Sequence, residues 1–227
     1  MQIAGLLKTS LSDYPNKVAC VIFTSGCNFH CAFCHNRSLV DRSASLISEE
    51  EIFEYFNKRK GILDGVVISG GEPTLQMDIF NFIKRIKQLG FLIKLDTNGS
   101  SYDIVKTLID ERLVDYIAMD IKNGPSYYDK ITETNVNTSE IEKTKNLLIN
   151  SGIDYEFRTT LVKQYFTLES IEEMGRFLSG AKTLFLQKYV ANENCINSSL
   201  DEVNEKEANE YASLLENFIE NVSLRGY

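Results

Sequence analysis

Residues 18 to 36 read VACVIFTSGCNFHCAFCHN: an apolar, β-branched run and then a loop holding Cys27, Cys31 and Cys34 within eight residues. The run has the composition of a strand buried on both faces, and its length suits a strand better than a helix. The loop poses a chemical problem, because three thiols are an awkward number. A structural zinc site takes four ligands and disulfides take pairs, whereas a catalytic metal site keeps one position open. Three thiolates can hold three corners of a 4Fe-4S cubane and leave the fourth iron to a substrate. Zinc held by the three cysteines with His30 or His35 is the alternative. Both histidines abut a cysteine in sequence, which makes it hard for them to fold back onto the same metal.

Working outward, five further apolar runs repeat the first: GVVIS (65–69), FLIKLD (91–96), DYIAMD (115–120), YEFRTTLV (155–162) and TLFLQKY (183–189). Helical patterns lie between them. Ile52, Phe53 and Phe56 follow a capping box at Ser48 and Glu51, and Ile79, Phe82, Ile83 and Ile86 lead to a stop at Gly90. Ser139 with Glu142 predicts a helix that closes near Gly152, and Ile171, Met174 and Leu178 run to Gly180. Strand and helix in alternation imply a parallel sheet with right-handed crossovers. Six such units predict an α/β fold, a partial (β/α)6 barrel, in one domain spanning residues 1–227.

Composition narrows the function. Of 227 residues, 43% are hydrophobic and 25% charged, an ordinary globular balance. No apolar run reaches the roughly 18 residues needed to span a bilayer, and no signal peptide opens the chain, so no membrane is expected and the protein is read as cytoplasmic. Five cysteines, three of them clustered, suit metal binding in a reducing compartment better than a disulfide framework. The net charge is −8, but residues 192–220 carry eight acids and one lysine, so the remainder is nearly neutral and offers no nucleic-acid-binding face. Tyr211, Leu214, Leu215 and Phe218 recur there at helical spacing, predicting an acidic helix at about 201–220.

In parallel α/β folds ligands bind where strands end and loops lead into helices, and the polar features of this sequence gather at such ends. The cysteine loop follows the first run, and Gly70, Gly71, Glu72 and Pro73 the second. Asp96, Thr97, Asn98 and Gly99 end the third, and Asp120 and Lys122 the fourth; Arg158 lies in the fifth and Gln187 near the end of the sixth. Each alone has a plain alternative: GGEP as a tight turn, Thr97 and Asn98 as helix caps, Lys122 as a solvated side chain. Cys20 falls inside an apolar strand and reads as core, Cys195 as a loop thiol.

The C-x3-C-x2-C loop with Phe33 before its third cysteine, together with GGEP, resembles the radical S-adenosylmethionine (SAM) superfamily. More narrowly, TSLSDYPNK, GCNFHCAFCHN, VVISGGEPTLQ, KLDTNGS, VDYIAMDIK and YEFRTTLV resemble the anaerobic ribonucleoside-triphosphate reductase activating proteins, over about residues 3 to 190. The resemblance implies a 4Fe-4S cluster on Cys27, Cys31 and Cys34. S-adenosylmethionine would chelate the open iron, with Gly70, Gly71 and Glu72 holding its amine. An electron from a flavodoxin or ferredoxin would break the sulfonium's carbon–sulfur bond, and the 5'-deoxyadenosyl radical would take hydrogen from a glycine of the partner enzyme, anaerobic ribonucleotide reductase. It further implies Phe33 against adenine, with polar contacts from Asn36, Asn98, Lys122, Arg158 and Gln187, and a monovalent cation on Asp96, Thr97 and Asp120. Two alternatives stand beside this reading. One is an activase of another glycyl-radical enzyme, or a small radical enzyme acting on a small molecule; the other is a non-catalytic iron-sulfur or zinc module.

Overall fold

The computed structural model describes residues 1–227. In chain order its first half contains β1 (Ile3–Ser10), β2 (Ala19–Thr24), α1 (Arg37–Val40), α2 (Glu49–Arg59), β3 (Gly65–Gly70), α3 (Ile79–Gln88), β4 (Leu92–Thr97) and α4 (Tyr102–Asp110). Its second half contains β5 (Tyr116–Asp120), α5 (Tyr128–Thr132), α6 (Thr138–Ser151), β6 (Asp154–Leu161), α7 (Leu168–Phe177), β7 (Thr183–Lys188), α8 (Glu205–Leu215) and β8 (Asn221–Arg225). The eight strands form one mostly parallel sheet in chain order, with β1 antiparallel to β2. No helix is long and apolar enough to cross a membrane.

Six of the eight strands are those read from the apolar runs. The other two lack such a run. β1 (IAGLLKTS) is half exposed along most of its length and is held by pairing with β2. β8 (NVSLR) alternates between exposed and half-buried residues and pairs parallel with β7.

The chain divides into two compact units. One comprises Met1–Asn28, Ser38–Thr97 and Ser101–Ala118; the other comprises Phe29–Arg37, Asn98–Ser100 and Met119–Tyr227. In the first, Val66, Val67, Ile68, Ile93 and Leu95 are fully buried, as strands covered on both faces require. Ser48 caps α2 by accepting the Glu51 N–H over 3.2 Å, and α3 buries Ile79, Phe82, Ile83 and Ile86. Between α3 and β4 the chain turns at Gly90, in the left-handed region at φ 92°. In the second unit, β6, β7 and β8 pair in parallel register and bury Phe157, Leu161, Leu184 and Leu186. The N-cap of helix α6 is Asn137, two residues before the expected Ser139, because Asn137 Oδ1 accepts the Ser139 N–H over 3.3 Å and takes the capping role. Helix α8 lies within the acidic segment, and Phe218 beyond it packs on Gly175, where an added Cβ would stand 2.5 Å from the ring.

Candidate active site

In the first unit, the ends of β2 and β3 are bonded together beside the start of the cysteine loop. Thr24 pairs with Gly70 in parallel register. Past the strands the Gly71 N–H donates to the Thr24 carbonyl over 2.9 Å, and the Glu72 N–H donates to the Gly26 carbonyl over 2.8 Å. This approach demands glycine. Gly70 sits at φ 116°, and a Cβ on Gly71 would stand 2.1 Å from the Gly26 oxygen. Gln76, which the sequence reading did not select, closes the same corner: its Nε2 donates to the Ser25 carbonyl over 2.9 Å and its Oε1 accepts the Gln2 N–H.

Glu72 is buried, with 1% of its surface exposed. Its Oε1 accepts the Thr74 N–H over 3.1 Å, the Thr74 hydroxyl over 2.6 Å and the Thr97 hydroxyl over 2.7 Å. Three donors to one oxygen fix the carboxylate in place. Thr97 therefore serves the carboxylate rather than a helix terminus; α4 has Ser101 at its N-cap position. One residue earlier in β4, Asp96 pairs its Oδ1 with Lys94 Nζ at 2.5 Å.

In the second unit, Cys31 and Cys34 lie among aromatic and charged side chains. Burial pushes the Cys31 thiol up to about 11, against the opposing pull of Lys122. Cys34 is also raised by burial, which a hydrogen bond from the Asn36 backbone partly offsets. Lys122 Nζ lies 5.8 Å from the centre of the Phe33 ring, which packs against Tyr165 at 6.4 Å. The Lys122 N–H donates to the hydroxyl of the fully buried Tyr128. Asp120 receives the Arg158 Nε–H over 3.0 Å and Lys122 Nζ over 3.3 Å. Burial favours its neutral form, but these two cations outweigh that and hold the carboxyl at about 2. Asn98 accepts the Ser100 N–H with its Oδ1 over 3.0 Å, an Asx turn, while Gly99 offers its carbonyl to Thr144. Gln187 is half-buried on β7, in register with Thr160 and Arg225.

The loop after β7 is part of this surroundings. Ile196 N–H donates to the Cys34 carbonyl over 3.0 Å and Asn197 N–H to the Ala32 carbonyl over 2.7 Å. Arg37 Nη2 donates to the Ile196 carbonyl over 2.7 Å. Cys195 is a thiol of this loop, as its sequence position suggested, and it is buried at 3% exposure. The polar run NENCINSS gave no sign of that burial.

All five cysteines are free. The surroundings of the cysteine loop fit a bound group on one observation. His35, next to Cys34 and stacked on Tyr189 at 5.5 Å, has a buried Nε2 with no hydrogen-bond partner, a polar atom that a bound group would satisfy. Nowhere do three His, Cys, Asp or Glu side chains converge closely enough to hold a single ion.

A family model for the radical SAM superfamily matches residues 21–178. The chain belongs to the radical SAM superfamily. Membership implies a 4Fe-4S cluster and S-adenosylmethionine. Among curated relatives, a Methanocaldococcus jannaschii protein provisionally named as a glycyl-radical enzyme activating enzyme is 30% identical over 98% of this chain and 95% of its own. The 7-carboxy-7-deazaguanine synthase of Thermococcus kodakarensis is 29% identical over 72% of this chain and 71% of its own. Among solved structures, Streptococcus suis SuiB bound to S-adenosylmethionine aligns with a TM-score of 0.70 at 18% identity, over 91% of this chain and 50% of that one. That likeness is one of radical SAM fold.

Proposed function

We propose that this chain activates a glycyl-radical enzyme, and that the enzyme is an anaerobic ribonucleoside-triphosphate reductase. The observation that carries the reading is the likeness, along nearly the whole of both chains, to a protein named as a glycyl-radical enzyme activating enzyme. The reductase itself rests on the six motifs from TSLSDYPNK to YEFRTTLV.

A bound cluster and S-adenosylmethionine, given one electron from a flavodoxin or ferredoxin, would break the sulfonium's carbon–sulfur bond, release methionine and supply a carbon radical able to abstract hydrogen from glycine. The chain's own residues would do the rest. Cys27, Cys31 and Cys34 would hold the iron. The glycine turn at Gly70 and Gly71 lets backbone come close to the methionyl group, and Glu72, held still by Thr74 and Thr97, meets its ammonium without reorganising. Phe33 offers a face to adenine, while Asn36, Asn98, Lys122, Arg158 and Gln187 supply polar contacts. The cytoplasm provides the reducing conditions that thiolate ligands need.

The test is electron paramagnetic resonance of the reductase after anaerobic incubation with this protein, S-adenosylmethionine and a one-electron reductant. A doublet that collapses when the reductase glycines carry deuterium supports the assignment. Activation of a different glycyl-radical enzyme under the same conditions transfers it to that partner. The likeness to 7-carboxy-7-deazaguanine synthase keeps a second reading, a radical reaction on a small molecule, within the same experiment. Turnover of S-adenosylmethionine on a small substrate with no protein radical favours it.

A further inference from the structure

We propose that this chain supplies its own cations where the family resemblance implies a bound monovalent metal ion: Lys94 neutralises Asp96, and Arg158 with Lys122 neutralises Asp120. The inference rests on the S-adenosylmethionine-binding reading and concerns what that binding requires.

Lys94 lies in β4 between Ile93 and Leu95, both fully buried, and its own side chain is 2% exposed. A lysine there is costly unless its ammonium finds an anion. The pleat provides one, since residues two apart on a strand share a face. Asp96 is two residues on, and its Oδ1 lies 2.5 Å from Lys94 Nζ. A metal ion taking this carboxylate would either strand the buried ammonium or sit beside it, and like charges at that range repel strongly away from water. Thr97 is turned to the opposite face, where its hydroxyl proton goes to Glu72.

Asp120 is committed in the same way on its own side. Arg158 Nε bonds Oδ1 and Lys122 Nζ bonds Oδ2, so both carboxylate oxygens hold cationic donors. A hard monovalent ion needs oxygens with unshared negative charge. Here each carboxylate of the implied set already meets a fixed positive charge of this chain. Each carboxylate is therefore neutralised within its own unit without an added ion, and S-adenosylmethionine binding becomes indifferent to sodium and potassium.

The test uses cluster-loaded protein equilibrated with tetramethylammonium as the sole monovalent cation. Sodium-23 line width, followed as sodium chloride is titrated into that sample, reads ion binding directly, and equilibrium dialysis reads S-adenosylmethionine affinity as sodium or potassium is added. The proposal expects no broadening beyond that of a bulk protein control and less than about a twofold change in affinity; a tightening of about tenfold, the equivalent of one decade in dissociation constant, overturns it. Lys94→Met removes the ammonium at nearly constant volume, and Arg158→Met does so at the second pair. At least one of them should make affinity depend on potassium or sodium, and continued indifference in both overturns the role given to these residues. Should the wild-type protein bind no S-adenosylmethionine at all, the parent reading fails, while the sodium line width on the same sample still decides whether an ion is held.

Discussion

The hydroxyl of Thr97 at the end of β4 donates to Oε1 of Glu72 in the loop after β3, over 2.7 Å, joining two motifs that are 25 residues apart in sequence. Glu72 is almost wholly buried, and with this donor gone its Oε1 keeps the two bonds from Thr74. Thr97→Val keeps the shape and removes the hydroxyl. It should lower stability by about 0.5 to 1.5 kcal/mol, the usual net contribution of one hydrogen bond. The urea midpoint of unfolding measures it, and an unchanged midpoint would show that the bond contributes nothing.

Gly71 tests the close approach of backbone to backbone. An alanine Cβ would stand 2.1 Å from the Gly26 oxygen and 2.6 Å from the Gly26 carbonyl carbon, both backbone atoms. Gly71→Ala should therefore cost at least the roughly 1 to 3 kcal/mol typical of an overpacked core and should displace Gly26, next to Cys27. Thermal unfolding and iron per chain are the two readouts. Retention of both at wild-type levels contradicts the geometry described.

The cysteines divide into two classes. Ser substitution of Cys27, Cys31 or Cys34 should abolish iron retention after anaerobic reconstitution, whereas Cys20→Ser and Cys195→Ser should retain about four irons per chain, as a cubane requires. Cys20 is fully buried in β2, where desolvation raises its thiol to about 12. Iron analysis beside the sulfide content decides the matter.

Acid should release the Asp120 pairing in a defined window. Burial raises the carboxyl, the charges of Lys122 and Arg158 pull it down further, and it settles at about 2. A carboxyl lowered in the folded state stabilises that state in its ionised form. Its contribution is complete above the unfolded value of about 3.9 and disappears as pH falls through about 2. Because the side chain is 35% exposed, solvent screening makes the effect modest. Arg158→Met removes one of the two cations and should move the acid transition to higher pH, seen by far-ultraviolet circular dichroism.

Much of this architecture was legible because buried parallel strands write themselves as unbroken apolar runs, and the ends of those runs mark where ligands bind. The cysteine loop, GGEP and the turn after β4 all lie at such ends. What escaped has a physical reason in each case. β8 owes its place to the edge of β7 rather than to its own two apolar residues, Val222 and Leu224. Asn137 displaced Ser139 as a cap because Asn and Ser serve that role about equally well, so only geometry chooses between them. Lys94 was visible as a charge within FLIKLD, but only the pleat shows that its partner is Asp96. Gln76 and the 192–197 loop act through backbone carbonyls, which leave no signature in side-chain composition.

The bonds from Ile196 and Asn197 to Cys34 and Ala32 also set an order of events at the ribosome. The second and third cysteines emerge early, yet the backbone that holds their loop is synthesised some 160 residues later. Until then the thiols belong to an unfinished segment with no fixed geometry. A chain stalled before residue 196 would lack both of these bonds to the cysteine loop.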